Sequence, residues 1–414
     1  MRKTEPKIVC MLSMTDWIDS GVHKKAVSLN RHGYRVKVFV LQSRTPKPDQ
    51  RLNSYDVFRI RLWLRRLLPR HLIFFFFKYL EFQWRSFQML SRQRFDIMYC
   101  NDLETLPVGV LLKRFRGVRL VYVSDELNTE VTDLNSLSRG IWKVVETFCI
   151  RSADAVFTVN ESISVWLGDQ YRIPRPEILY NVPYRRRSRG KRNLRRMFGI
   201  PGNHTVLLYQ GSMHPSRGVP TLLRIMPRIP DASLIVIGDQ RQFTELVRRT
   251  HTAVPENVHV IDFVPYPELP SYTAGADIGL YLLENSCLNY YYSLPNKLFE
   301  FLAAGLPVVL SDFPEHRRIV AGYRCGILVN EKSDGDIVRA IRRLMQDRRT
   351  YLEMSRNARR ITQETFNWET QEKNMITVFN RLNGRDCRKT GPWRSLPAPG
   401  GMTTLSHSRK PATS

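Results

Sequence analysis

Short runs of β-branched and aromatic residues recur along the chain, separated by stretches long enough for a helix. KIVCML (7–12), VKVFVL (36–41), IMYC (97–100), LVYVSD (120–125) and AVFTVN (155–160) form a first series. TVLLYQG (205–211), SLIVIGD (233–239), VHVIDF (258–263), IGLYLL (278–283), PVVLSD (307–312) and GILVN (326–330) form a second. Near-continuous apolar strands alternating with helices predict parallel sheets covered on both faces. We therefore expect an α/β protein of two doubly wound, Rossmann-like domains. Ligands of such sheets bind beyond the carboxyl ends of the strands, and a cleft between two facing domains is the natural site.

The rhythm breaks at YRRRSRGKRNLRRMFGIPGNH (184–204), a basic stretch with Gly190, Pro201 and Gly202 that promises little burial. A boundary there gives an N-terminal domain over 1–183, a linker over 184–204 and a C-terminal domain over 205–365. The length of 414 residues agrees, since one hydrophobic core rarely organises more than about 250. From 383 to 414 the chain is rich in Gly, Pro, Ser and charge without periodicity, and reads as a disordered tail.

Charge narrows the partners. Sixty-four Lys and Arg against 38 Asp and Glu give a formal charge of +26, which favours polyanions: nucleic acid, anionic lipid or phosphorylated substrates. The segment FRIRLWLRRLLPRHLIFFFFKYLEFQWRSFQML (58–90) reads as helices mixing Arg with Trp, Phe and Leu, a composition that suits an anionic bilayer interface. Its longest apolar run, LIFFFF (72–77), is far short of the roughly 18 residues of a spanning helix. The start MRKTEPKIVCML lacks the long apolar region and cleavage site of a secretion signal, so no leader is expected. Six scattered cysteines without C-x-x-C spacing suit neither a zinc site nor a disulfide framework and read as reduced thiols of a cytoplasmic protein.

Candidate chemistry concentrates in NYYYSLPNKLFEFLAAGLPVVLSD (289–312). Pro295 suits a first helical turn, with Ser293 or Leu294 in the cap region, and Gly305 is the helix stop. The first turn offers backbone N–H groups and the positive end of the helix dipole, and Lys297 adds a cation, so a phosphate would sit at Asn296 and Lys297. Glu300 follows on the same face one turn deeper, where a carboxylate suits sugar hydroxyls. In YQGSMHPSRGVPTLL (209–223) a strand ends at Gly211 and a loop carries Arg217, which can clamp a diphosphate. Asn101 and Asp102 after one strand, and Asp125 and Glu126 after another, can orient an acceptor hydroxyl or take its proton. Asp334 and Asp336 form a D-x-D that reads as a helix start and not as a metal site.

Together these residues resemble the retaining glycosyltransferases of family 4, the group 1 glycosyl transferases with GT-B architecture. The family's G-x-x-x-x-x-[KR]-G loop is matched at 211–218, and its S-L-P-N-K-L-F-E-[YF]-L-A-A-G-x-P-V-V segment at 293–309. The likeness extends to 19–39, 99–109, 122–130 and 151–162, and closes with 366–379, similar to the family's helix crossing back to the N-terminal domain, here 366–382. The resemblance implies two domains facing across a cleft, a nucleotide-diphosphate sugar donor and metal-independent transfer without a cofactor. It assigns Arg217 and Lys297 to the leaving diphosphate, Glu300 to the donor ribose and Pro295-Asn296 to donor phosphate; Gly211 and Ser212 belong to the phosphate loop. Asn101, Asp102 and Glu126 fall on the acceptor side, and Asp125 near the reacting centre. The chain departs from the family pattern at Tyr292 and Ser212, where a glutamate and an arginine are common, and at Asp125, where a histidine is.

The function expected from this is glycosyl transfer to a lipid-linked or polysaccharide acceptor in cell-surface glycan synthesis, by a cytoplasmic protein associated with the inner face of the membrane. The alternative is a non-catalytic GT-B relative that binds nucleotide or membrane as a partner subunit. A nucleic-acid-binding protein would leave Lys297 and Glu300 unexplained, and no helix-turn-helix, zinc-finger or RNP pattern is present, so no nucleic-acid partner is expected.

Overall fold

The apolar runs become strands because residues buried on both faces of a parallel sheet need no alternation. A computed structural model describes residues 6–43, 48–52, 54–67, 72–132, 134–185 and 190–384. The disordered tail expected over 383–414 lies almost wholly outside them. The described residues divide into two compact units, one within 1–180 together with the chain from Glu372 onward, the other within 181–371.

The N-terminal unit is built on strands β1 (Ile8–Leu12), β2 (Arg35–Leu41), β3 (Gln50–Arg51), β4 (Asp56–Ile60), β5 (Ile97–Asn101), β6 (Arg119–Ser124), β7 (Ala155–Thr158) and β8 (Glu177–Ile178). Their order is β3-β4-β2-β1-β5-β6-β7-β8, parallel throughout except that β3 pairs antiparallel with β4. Val9, Leu12, Val38, Tyr99 and Tyr122 are wholly buried at its centre. The helix Ser20–Arg31 follows β1, capped by Asp19, whose carboxylate accepts from the Gly21 and Val22 N–H groups. The opening of the 58–90 segment, expected as helix, is a strand: Phe58–Ile60 belong to β4, which pairs in register with β2, and among the described residues the helical parts of the segment are Leu64–Leu67 and Leu72–Ser91.

The C-terminal unit carries β9 (Thr205–Gln210), β10 (Ala232–Ile237), β11 (Val258–Ile261), β12 (Ile278–Tyr281), β13 (Val308–Ser311) and β14 (Gly326–Val329), all parallel, in the order β11-β10-β9-β12-β13-β14. The order reverses direction at β9, and the adjacent carboxyl ends of β9 and β12 carry Gln210 and Tyr281. Residues of the basic 184–204 stretch contribute to this unit. Leu194 and Ile200 are buried around a short helix, Leu194–Phe198, and Arg195 pairs with Asp277 at 2.6 Å.

The last described helix, Trp368–Leu382, starts with a Trp368 N–H donating to Pro183 O at 2.9 Å. Its later turns belong to the N-terminal unit, where Asn380 accepts from Tyr34 Oη at 3.0 Å and the Phe379 ring meets Tyr34 edge-on. Cys10, Cys100 and Cys325 are buried, and burial pushes their thiols up to about 12.

Candidate active site

Strand β9 ends at Gln210, and the chain then turns sharply at Gly211, whose φ of +138° is costly for any residue with a Cβ. The Lys297 side chain fills the space a Cβ would take: an atom built there would lie 2.6 Å from Nζ and 3.3 Å from Cδ. The loop runs on through Pro215–Arg217 to Gly218, at φ +79°, packed against the Leu282 backbone where no side chain fits. A helix, Val219–Ile225, follows with Pro220 in its first turn.

Lys297 comes from the helix Asn296–Ala304, which packs under β12 and β13 through Leu298, Phe299, Phe301 and Leu302 and ends at Gly305 in the left-handed region. The helix starts one residue later than expected, with Pro295 at the cap position and not Ser293 or Leu294. The Pro295 carbonyl accepts from the Leu298 N–H at 3.1 Å, and no side chain of the described residues caps this end. An anion here would meet backbone N–H groups, the positive end of the helix dipole and the Lys297 ammonium together.

Glu300 stands one turn in. One of its carboxylate oxygens accepts from Gln210 Nε2, and Thr273 Oγ1 donates to Gln210 Oε1 at 2.9 Å. This fixes the Gln210 amide so that its donor face meets Glu300. Gln210 and Thr273 are almost fully buried. Neither was anticipated, although a glutamine closing an otherwise apolar strand was the available signal.

A group of tyrosines surrounds the two cations. Lys297 Nζ lies 5.2 Å from the Tyr281 ring centroid and the Arg217 guanidinium 5.8 Å from that of Tyr290, while Tyr209 stacks on Tyr281. Burial works against the charge on Arg217, but Tyr281, Tyr290 and Tyr209 outweigh it and hold the guanidinium above its ordinary pKa. Among the described residues Arg217 Nε is buried without a hydrogen-bond partner. Ser212 is exposed and its carbonyl accepts from Tyr209 Oη at 2.6 Å. The Tyr292 ring leans on Tyr291, which in turn meets Phe313. Asp334 and Asp336 occupy a helical first turn: Arg224 donates to both Asp334 oxygens at 2.8 Å, and Asp336 accepts from the Asn330 N–H.

In the N-terminal unit the acceptor-side candidates gather at the carboxyl ends of β5 and β6. Asn101 Nδ2 donates to Asp102 Oδ2 at 2.7 Å, and Asp102 adopts a positive φ of 67°, a conformation that costs about 1–3 kcal/mol. Burial, and then the neighbouring Asp125, Glu104 and Glu126 carboxylates, push the Asp102 carboxyl well above the usual range. Asp125 faces a lysine that sequence reasoning overlooked. Lys25 of the Ser20–Arg31 helix is 3% exposed, with Nζ 3.6 Å from Asp125 Oδ2 and 5.9 Å from the Tyr99 ring centroid. Burial opposes its charge, but Asp125, Tyr99 and Asp19 outweigh burial and hold it protonated. Glu126 is exposed, and its carbonyl accepts from Ser124 Oγ at 2.8 Å.

Two family models match the chain in sequence. Residues 190–361 match Glycosyl transferases group 1, and residues 18–182 match the Glycosyl transferase 4-like domain. The chain belongs to the group 1 glycosyl transferases. A relative, the uncharacterized glycosyltransferase MJ1607 of Methanocaldococcus jannaschii, is 24% identical over 377 residues, covering 87% of this chain and 93% of that one. Sucrose-phosphate synthase from Thermosynechococcus elongatus superposes with a TM-score of 0.78 at 18% identity, over 92% of this chain and 100% of that one. HepE of Anabaena, solved in complex with UDP and glucose, superposes with a TM-score of 0.68 at 15% identity, over 91% of this chain and 100% of that one. These neighbours have the GT-B fold, and the two parallel sheets of the group 1 chain described here are of that kind.

Proposed function

We propose that the protein is a retaining, metal-independent glycosyltransferase. It takes the sugar of a nucleotide-diphosphate donor held by the C-terminal unit and passes it to a lipid-linked or polysaccharide acceptor of cell-surface glycan synthesis. The observation that carries this reading is the Lys297 ammonium seated over the Gly211 turn beside an uncapped helix start, with Glu300 oriented one turn deeper. A diphosphate at the helix mouth and a ribose diol on Glu300 match that spacing, and the UDP and glucose bound by HepE support a donor of this class.

In the reaction the bond between the sugar's anomeric carbon and the phosphate oxygen breaks, and negative charge grows on the departing phosphate. Lys297, Arg217 and the N–H groups at Asn296 stabilise that charge, which is where preorganised donors act most strongly. The acceptor hydroxyl adds to the same face of the sugar and passes its proton to the departing phosphate oxygen, so that the nucleoside diphosphate leaves as the hydroxyl becomes the new glycosidic oxygen. Asp125, with Asn101, Asp102 and Glu126, is assigned to orienting that hydroxyl. No cofactor is required. The protein works at the cytoplasmic face of a membrane, a reading supported by its charge of +26 and its mixed basic and aromatic 58–90 segment.

The test is release of nucleoside diphosphate from a panel of UDP, GDP, ADP and dTDP sugars. One donor is expected to turn over, and Lys297→Ala and Arg217→Ala are each expected to lower kcat by about a hundredfold. Ser212 and Asp125, standing where the family commonly has arginine and histidine, favour the alternative of a non-catalytic partner subunit. Nucleotide binding with no release from any donor would replace the enzyme reading with that one.

A further inference from the structure

A helix lying on a parallel sheet turns its apolar stripe inward and its polar face to water. In the helix Ser136–Ile150 this order is partly reversed. Glu146 faces in, 1% exposed, accepting from Tyr122 Oη at 2.9 Å and Tyr171 Oη at 2.6 Å. Leu137, Ile141, Val144 and Phe148 face out, between 56% and 76% exposed, and their 4-3-4 spacing draws one line along the helix. The helices Leu106–Arg116 and Leu72–Ser91 repeat the feature. The first exposes Leu111 and Phe115, and the second Phe77, Leu80 and Trp84, again at spacings of three and four.

These three helices are neighbours. They connect β4 to β5, β5 to β6 and β6 to β7, strands that advance in one direction across the sheet, so right-handed crossovers put all three on the same face. Phe87 meets Phe115 at 6.0 Å between ring centroids, and Tyr79 meets Trp142 at 5.2 Å, which ties the helices side by side. The exposed lines therefore form one apolar surface, unlike the singly scattered apolar residues of ordinary surfaces.

Positive charge borders it. Arg114 and Arg116 flank Phe115, and Arg151 follows the last turn of the Ser136–Ile150 helix; all three are exposed. Beside the Leu72–Ser91 helix a cavity of about 220 Å³ is lined by Arg61, Arg85 and Arg92, and the Arg85 guanidinium lies 4.3 Å from the ring centroid of exposed Trp63. A second copy of this chain would bring the same +26 charge to the surface and be repelled. A bilayer with anionic headgroups satisfies the apolar lines and the arginine border at once. Among the described residues no helix is long and apolar enough to cross a membrane, so the contact is one of lying on the surface.

We propose that this three-helix face is a docking surface for an anionic lipid bilayer, its apolar lines entering the headgroup boundary and Arg61 and Arg92 meeting lipid phosphates at its border, while Arg85 stays paired with Glu81 at 2.8 Å. The inference rests on the membrane-associated part of the functional reading and is independent of the chemistry.

The test is flotation of the full chain with vesicles of phosphatidylcholine and phosphatidylglycerol in equal parts, beside vesicles of phosphatidylcholine alone. The protein is expected to float with the anionic vesicles and to stay behind with the neutral ones. The Phe115→Glu/Phe148→Glu variant changes only exposed positions, so circular dichroism is expected to match the parent while vesicle partition falls at least about thirtyfold. Arg61→Gln and Arg92→Gln are expected to lower partition roughly fivefold each. The proposal is overturned if the double variant floats like the parent, or if the parent floats with neither composition. It is also overturned if sedimentation shows a dimer that Phe148→Glu splits while vesicles leave the protein untouched. Nucleoside diphosphate binding, measured on the same samples, keeps the two readings apart: a chain that binds nucleotide but ignores vesicles loses this inference and retains its donor site.

Discussion

A single methyl group at Gly211 tests how the donor site is built. Alanine at φ +138° carries a backbone cost of about 1–3 kcal/mol. At roughly 2–4 °C per kcal/mol for a unit of this size, Tm should fall by about 2–12 °C. The new Cβ also overlaps the Lys297 stem, 2.6 Å from Nζ and 3.3 Å from Cδ. That stem ends in a flexible chain, so it swings aside at little cost to stability, but the ammonium leaves the helix mouth. A charge-assisted hydrogen bond contributes about 1.5–3 kcal/mol, so affinity for a nucleoside diphosphate should drop about ten- to a hundredfold. Lys297→Met should produce the same binding loss without the change in Tm. In the double variant the binding losses should not add, because the methyl group then has no ammonium to displace. Titration calorimetry and thermal melts read both quantities. Gly211→Ala binding as tightly as the parent while Lys297→Met does not would refute the seat of Lys297 over the glycine as the working geometry.

Three further outcomes are expected. Glu300→Ala should weaken nucleoside diphosphate binding about tenfold or more and leave pyrophosphate binding unchanged, since only the ribose meets that carboxylate; an equal loss for pyrophosphate would contradict its role. His316 is wholly buried, and burial pushes its imidazole down from 6.5 to about 4. The unfolded chain therefore takes up a proton between those values that the folded chain refuses, so stability is full above about pH 6.5 and falls by about 3 kcal/mol on descending to pH 4. Urea unfolding of the parent and of His316→Gln measures this, and the variant should lose that part of the slope; an unchanged slope would remove His316 from the account. Lys25→Met breaks the 3.6 Å pair with Asp125 and should lower kcat at least about tenfold with nucleotide affinity intact, whereas a matching loss of affinity would place its effect elsewhere.

The main strands were legible because a parallel strand buried on both faces writes itself as an apolar run, as TVLLYQ and ASLIVI do in β9 and β10. The two-residue strands β3 and β8 carry only Gln50–Arg51 and Glu177–Ile178, too short and polar to mark themselves, and β4 opens on Asp56 and ends inside the stretch from Phe58 whose arginines and leucines read as helix. Within the site, Lys297 and Glu300 could be paired because they share one helix three residues apart. The Glu300–Gln210–Thr273 chain joins residues 90 and 63 positions apart, which only the folded sheet brings together. Lys25 was hidden for another reason. In a run such as VHKKAV lysines read as solvent-facing, and its burial follows from Asp125 and Tyr99 lying where the helix meets the sheet.

The most direct measurement of the central claim is calorimetric binding of UDP, GDP, ADP and dTDP to the purified protein, beside Lys297→Ala and Glu300→Ala. The account predicts that one nucleotide binds at micromolar affinity and that both variants weaken it at least about tenfold. Binding of none of the four, or binding that both variants keep, would contradict a donor site on the Asn296–Ala304 helix.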